Sequence, residues 1–215
     1  MTDFDPGAGL GPRLRLVRGS RQLSVRELAR RVGCSASMIS QIERGVSVPS
    51  VGVLYSLATE LGSSLDYLLF GSGAGPDRVP AVAGGGGPEV TGPAAAAAPP
   101  AIVQRGCGRR IIDLASGVRW ERLTPQSDAM TDFLEVIYSP GGHSTDERRP
   151  LRHDGREYGL IISGTLQANV GFESYELGPG DSIAFDSSTP HEYLNKTGDY
   201  VRAVWVVVHS EPGRA

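Results

Sequence analysis

Residues 71–100 constrain this chain more than any other stretch: eight glycines, eight alanines and six prolines fill 22 of their 30 positions, with three charges among them. Such a segment has too little apolar bulk to offset the entropy lost on ordering. Its one helix-prone run, 94–98, is fenced by Pro93, Pro99 and Pro100. The composition predicts a flexible tether with an r.m.s. span of roughly 30 Å. The 215 residues therefore divide into a domain over 1–70, a linker over 71–104 and a domain over 105–215.

The two halves differ in period. Before the tether, apolar residues recur at threes and fours: Leu10, Leu14 and Val17; Val25, Leu28, Ala29 and Val32; Val53, Leu54, Leu57, Ala58 and Leu61. That spacing predicts helices. Ser24 with Glu27 forms a capping box, and Gly33 ends that helix. Ser35 caps a helix over 36–44, and Pro49-Ser50 opens one that runs to Gly62. After the tether come short alternating runs over 117–123, 132–138, 158–162, 165–170, 182–185 and 200–208, a strand-rich pattern of the sandwich or barrel kind.

The net charge of −3 is unevenly spread. Residues 9–62 hold eight arginines against three glutamates, whereas residues 101–215 hold 12 basic and 16 acidic side chains. A basic head on an acidic body suits a head that meets phosphate. No apolar run approaches the roughly 20 residues of a membrane span, and the first residues lack a secretory pattern. Cys34 and Cys107 fit no metal spacing and read as reduced thiols, so a cytoplasmic protein is expected.

The helices at 25–32 and 36–44 flank a short turn over 33–35, with Ala29, Gly33 and Ile39 where close crossing needs a small residue, a glycine and a branched apolar residue. The run SVRELARRVGCSASMISQIERGVSVPS, with the helical pattern that follows to about residue 70, resembles the five-helix DNA-binding domain of the XRE and phage-repressor family. In that fold the second helix of the motif enters the major groove. The resemblance implies an exposed reading face of Ser35, Ala36, Ser37, Ser40, Gln41 and Arg44, with Gln41 able to pair with adenine. Arg44, Arg21 and Arg26 are expected at phosphates, and the cap of Ser24 frees helix amides for the same purpose. Caps and a solvated arginine face are the plainer alternative.

In the second half, His153, Glu157 and Gly164 are followed by Gly180, His191 and Asn195. These spacings resemble the two motifs of the cupin superfamily, which implies a small double-stranded β-helix or jelly-roll barrel. Leu151 stands where that family supplies a further histidine. His153, Glu157 and His191 remain as a 2-His-1-carboxylate candidate for one divalent metal (Fe, Zn, Ni or Mn). The alternative is a pocket without metal, whose side chains bond one another or an organic effector. His143 is a weaker candidate for the missing ligand, and His209 and Asn195 read as structural.

The resemblances imply a two-domain α + β chain of the XRE–cupin type: a homodimeric transcriptional regulator that reads a double-stranded operator and senses a small molecule, with no membrane partner and no enzymatic role. A mononuclear non-haem iron oxygenase or epoxidase with a helix-turn-helix head shares the same ligand spacing and is the alternative. A Gly/Pro tether transmits no rigid push, so signalling must pass through barrel–barrel geometry or direct docking of head on barrel.

Overall fold

Serine caps and glycine stops set the helices. The computed structural model describes residues 7–71, 102–126, 128, 130–145 and 150–209; most of the tether, 72–101, lies outside the described residues. Helix α1, Gly7–Ser20, buries Leu10, Leu14 and Val17. Helix α2, Val25–Val32, starts where Ser24 Oγ accepts the Glu27 amide at 3.1 Å and stops at left-handed Gly33. Helix α3, Ala36–Glu43, is capped in the same way by Ser35 on the Met38 amide, and Arg44, expected inside it, is its C-cap. Ser50 and Ser64 cap α4, Val51–Leu61, and α5, Leu65–Phe70. Each such cap stabilises by about 1 kcal/mol. Leu14, Leu28, Ile39, Ile42, Leu54, Leu57, Leu61 and Leu68 form the head's core. A forked Arg18–Glu43 pair, at 2.5 and 2.9 Å, ties α1 to α3.

Among the described residues nine strands follow: β1 Ile111–Leu114, β2 Val118–Arg122, β3 Thr131–Tyr138, β4 Arg156–Ser163, β5 Leu166–Val170, β6 Glu173–Leu177, β7 Ser182–Asp186, β8 His191–Leu194 and β9 Val201–Val208. They form a six-stranded sheet ordered β1-β2-β3-β9-β4-β7 and a three-stranded sheet ordered β6-β5-β8, both antiparallel. Alternation along β4 and β9 sends Glu157, Ile161, Ala203, Trp205 and Val207 inward. The architecture is the expected two-domain α + β fold with a jelly-roll barrel. The expected strands are all present, and β1, β6 and β8 are additional.

The halves touch. The Gly52 amide donates to the Ser144 carbonyl at 3.2 Å, and the Ala115 amide to the Pro49 carbonyl at 3.4 Å. Arg110 Nη1 donates to the Phe70 carbonyl at 2.5 Å. The Arg122 guanidinium lies 5.2 Å from the Phe70 ring centre. The N-terminal end of α4 and the last residue of α5 thus rest on the barrel.

Candidate functional site

Two places carry chemistry. In the head, Ser24, Arg26, Ser35, Ser37 and Arg44 are exposed, while Ala36, Ser40 and Gln41 are half-buried on α3. The hydroxyls of Ser24 and Ser35 are engaged as caps, so any nucleic-acid contact they make uses the oxygen's remaining capacity. Arg44 Nε reaches back to the Ser40 carbonyl at 3.1 Å. Arg21 is exposed, but its Nε donates to the Leu61 carbonyl at 3.0 Å, which places it at the C-terminus of α4. Arg30 forks onto Glu27 and Arg31 adds a single bond at 2.8 Å, so part of the head's formal positive charge is internally paired.

In the barrel, His153, Glu157 and His191 converge as their spacing implied, with one ligand atom from each within 4.8 Å of the others. Glu157 is 2% exposed. Its Oε2 accepts from the Tyr193 hydroxyl at 2.7 Å and the Trp205 indole at 2.6 Å. Its Oε1 faces His153 Nε2 at 2.7 Å and His191 Nε2 at 3.0 Å. Burial works to raise the Glu157 carboxyl's pKa, but the hydrogen bond from His153 and the positive charge that the two imidazoles carry when protonated outweigh it and hold it well below the usual range. Burial beside that carboxylate pushes the Tyr193 phenol far up, which keeps it a donor.

The tautomer of His191 decides how well a cation fits. Its Nδ1 lies 2.8 Å from the Thr189 carbonyl, which can only accept, so Nδ1 carries a proton and, in the neutral ring, Nε2 presents a lone pair. That Nε2 is buried without a hydrogen-bond partner although Glu157 Oε1 stands 3.0 Å away. Two acceptors facing each other in a dry interior repel unless a proton or a cation sits between them. The residues fit a divalent cation: His153, Glu157 and His191 would hold it, and it would supply a Lewis-acidic point for an oxygen- or nitrogen-bearing ligand.

Local sequence explains this placement. Gly159 leaves room for the Trp205 ring, because a Cβ there would lie 2.6 Å from Trp205 Cη2. His191 and Tyr193 share one face of β8 by alternation. His143 does not join the group; its ring bonds the Thr145 carbonyl. Leu151 is buried and pairs by backbone with His191. Asn195 is a buried staple, its amide donating to the carbonyls of Ser139 at 2.9 Å and Asp199 at 2.7 Å. His209 pairs with Asp132 at 2.8 Å.

Residues 14–68 match the helix-turn-helix family and residues 134–207 the cupin domain family. The chain thus joins an XRE-type helix-turn-helix domain to a cupin domain. The chain is 24% identical over 202 residues to the HTH-type transcriptional regulator PuuR of Escherichia coli, covering 93% of this chain and 95% of that one. The same figures hold for PuuR of Shigella flexneri. Among solved structures, a transcriptional regulator of the HTH_3 family from Vibrio cholerae superposes with a TM-score of 0.66 at 21% identity, over 98% of this chain and 100% of that one. Among the described residues, no helix of the chain is long and apolar enough to cross a membrane.

Proposed function

We propose that this regulator reads a two-fold operator through α3 and senses a small ligand through a divalent cation held by His153, Glu157 and His191. The observation that carries the reading is the orphaned lone pair of His191 Nε2 beside the Glu157 carboxylate, in a barrel joined to a helix-turn-helix head. Such a site suits a small oxygen-bearing molecule that completes the metal's coordination. On the head, Gln41 is the base-reading side chain, Ser37 and Ser40 flank it, and Arg26 and Arg44 take phosphates. The domains run over 1–70 and 105–215, joined by the linker 71–104.

An apolar patch on the outer face of the six-stranded sheet supports a homodimer. Phe133, Val206 and Tyr158 lie side by side on β3, β9 and β4, with Val204 and Leu160 beside them in the next row. Phe133, Tyr158 and Leu160 are 37–42% exposed. A self-complementary patch of this kind is what a two-fold interface needs, and two heads double the number of bases read.

The ligand set alone also suits an iron oxygenase. The two readings separate in one experiment: the full chain is loaded with Fe(II), offered a randomised duplex pool, and followed for oxygen uptake. Enrichment of a two-fold sequence without oxygen consumption supports the regulator. Oxygen uptake with no enriched sequence would replace it with the oxygenase.

A further inference from the structure

Helix α4 is buried on two sides. Leu54, Leu57, Ala58 and Leu61 pack into the head, whereas Tyr55 leaves it and enters the barrel. The Tyr55 ring is stacked on the imidazole of His153, with centres 4.2 Å apart and planes 5° from parallel. The edge of Trp120, on β2, meets it at 5.9 Å. Tyr55 is only 7% exposed, so the head supplies part of the wall behind the candidate cation site.

The two histidines are held differently. His191 is oriented by a 2.8 Å bond from Nδ1 to the Thr189 carbonyl. The corresponding contact of His153, Nδ1 to the Asp154 carbonyl, is 3.4 Å, too long to fix a ring. A metal-binding imidazole needs an outer partner that sets its orientation. His153 has the Tyr55 stack where His191 has a backbone carbonyl.

We infer that Tyr55 is a positioning residue for His153, so that the cation site is complete only while the head is docked on the barrel. Cation occupancy and head docking are therefore one coupled equilibrium. The cation tightens docking, and by linkage the docked head tightens the cation by the same factor. The coupling reaches the DNA-reading helix through the segment that joins α3 to α4, since the amides of Val46 and Ser47 both donate to the Gln41 carbonyl. The inference rests on the reading of His153, Glu157 and His191 as a cation site.

Gly52 offers a second way to undock the head, through Leu151 and not through the ring stacked on His153. A Cβ at this position would lie 3.2 Å from Leu151 Cδ2, already tight, and the backbone carbonyl of Ser144 closes the space beyond at 3.9 Å. Leucine at 52 therefore wedges α4 off the barrel, while its helix propensity exceeds that of glycine.

The test titrates Co(II) into the full chain and follows both its ligand-field absorption and amide exchange. Tyr55→Ala should weaken Co(II) by roughly 10–100-fold, the usual loss when a ligand's outer partner is removed. Tyr55→Phe, which keeps the stacking ring, should stay within about threefold of the parent, and Gly52→Leu should weaken Co(II) in the same direction as Tyr55→Ala. In the parent chain, Co(II) should slow exchange of the Gly52 and Ala115 amides, which bridge head and barrel, and in Tyr55→Ala it should not. A parent chain that binds Co(II) tightly while Tyr55→Ala and Gly52→Leu bind it equally well overturns the coupling and leaves the cation site standing. A parent chain that binds no Co(II) at all overturns the site, and the inference with it.

Discussion

Glu157→Gln separates folding from cation binding, because the two oxygens of Glu157 do different work. Oε2 accepts from Tyr193 and Trp205, and a glutamine oxygen accepts from both equally well. Oε1 faces two imidazole nitrogens, and a glutamine amide turned to that side donates to the lone pair of His191 Nε2 that the carboxylate leaves orphaned. The variant weakens the bonds from Tyr193 and Trp205 and takes away the acceptor of His153 Nε2, while it no longer buries a charge, so its metal-free stability should fall by about 1–3 kcal/mol. Its response to metal should vanish. At a free metal concentration of about 100 times Kd, the parent gains roughly 2.7 kcal/mol, or about 10 °C in Tm at around 4 °C per kcal/mol. The pH response should change as well. The Glu157 carboxyl's pKa is lowered in the folded state, so its stabilisation is present above the ordinary carboxylate range and disappears as pH falls through the folded value. Glu157→Gln should flatten that acid limb. The assay is thermal unfolding with chelator and with Co(II), at neutral and acid pH. An equal Co(II) shift in both proteins would refute the ligand assignment, and collapse of the metal-free variant would show that the carboxylate is needed for folding.

Gly159→Ala should destabilise the barrel by about 1–3 kcal/mol in denaturant melts, since its methyl group meets the Trp205 ring and pushes the indole off Glu157; an unchanged midpoint would show that the ring relaxes freely. Leu160→Glu, on the outer sheet face, should convert a dimer to a monomer in sedimentation velocity with the fold intact; a persistent dimer would place the interface elsewhere. The His209 imidazole's pKa, lowered by burial but raised further by Asp132, ends above its ordinary value, so the pair's stabilisation is full below about pH 6.5 and fades as pH rises through the folded value. His209→Gln should therefore lower the midpoint at pH 5.5 more than at pH 9, and an equal loss at both would leave only a neutral hydrogen bond.

Much of this was legible in the residues. Ser24, Ser35 and Ser50, each followed by apolar periodicity, mark three helix starts, and the glycines at 33 and 62 mark two ends, because capping is local chemistry. The spacings of His153, Glu157 and His191 marked these three side chains as one group, and the structure brings them together. Strand β6 escaped because Glu173–Leu177 is exposed at every position but its last and so carries no alternation. Strands β1 and β8 are four residues long, too short for a period to show. The donors that hold Glu157 were only half visible: Tyr193 follows His191 by two on one strand face, but nothing local pairs Trp205 with Gly159 across β9 and β4. Tyr55 was the least visible. Helical spacing says which face of α4 meets its own domain and is silent about a second domain some 100 residues away in sequence. The Gly/Ala/Pro tether argues for two free bodies, while the contacts of Gly52, Tyr55 and Phe70 show them docked.

Sequence-specific reading of DNA by α3 is tested most directly by the specificity ratio of the full chain carrying Gln41→Ala. A duplex selected from a randomised pool and a scrambled duplex of equal length are each titrated by fluorescence anisotropy over a series of salt concentrations. Gln41→Ala should cost about 1–3 kcal/mol on the selected duplex and almost nothing on the scrambled one. Arg44→Ala should weaken both alike and reduce the salt slope by about one. A Gln41→Ala protein that loses the same affinity on both duplexes, or a parent chain that selects no sequence, would contradict base reading by this helix.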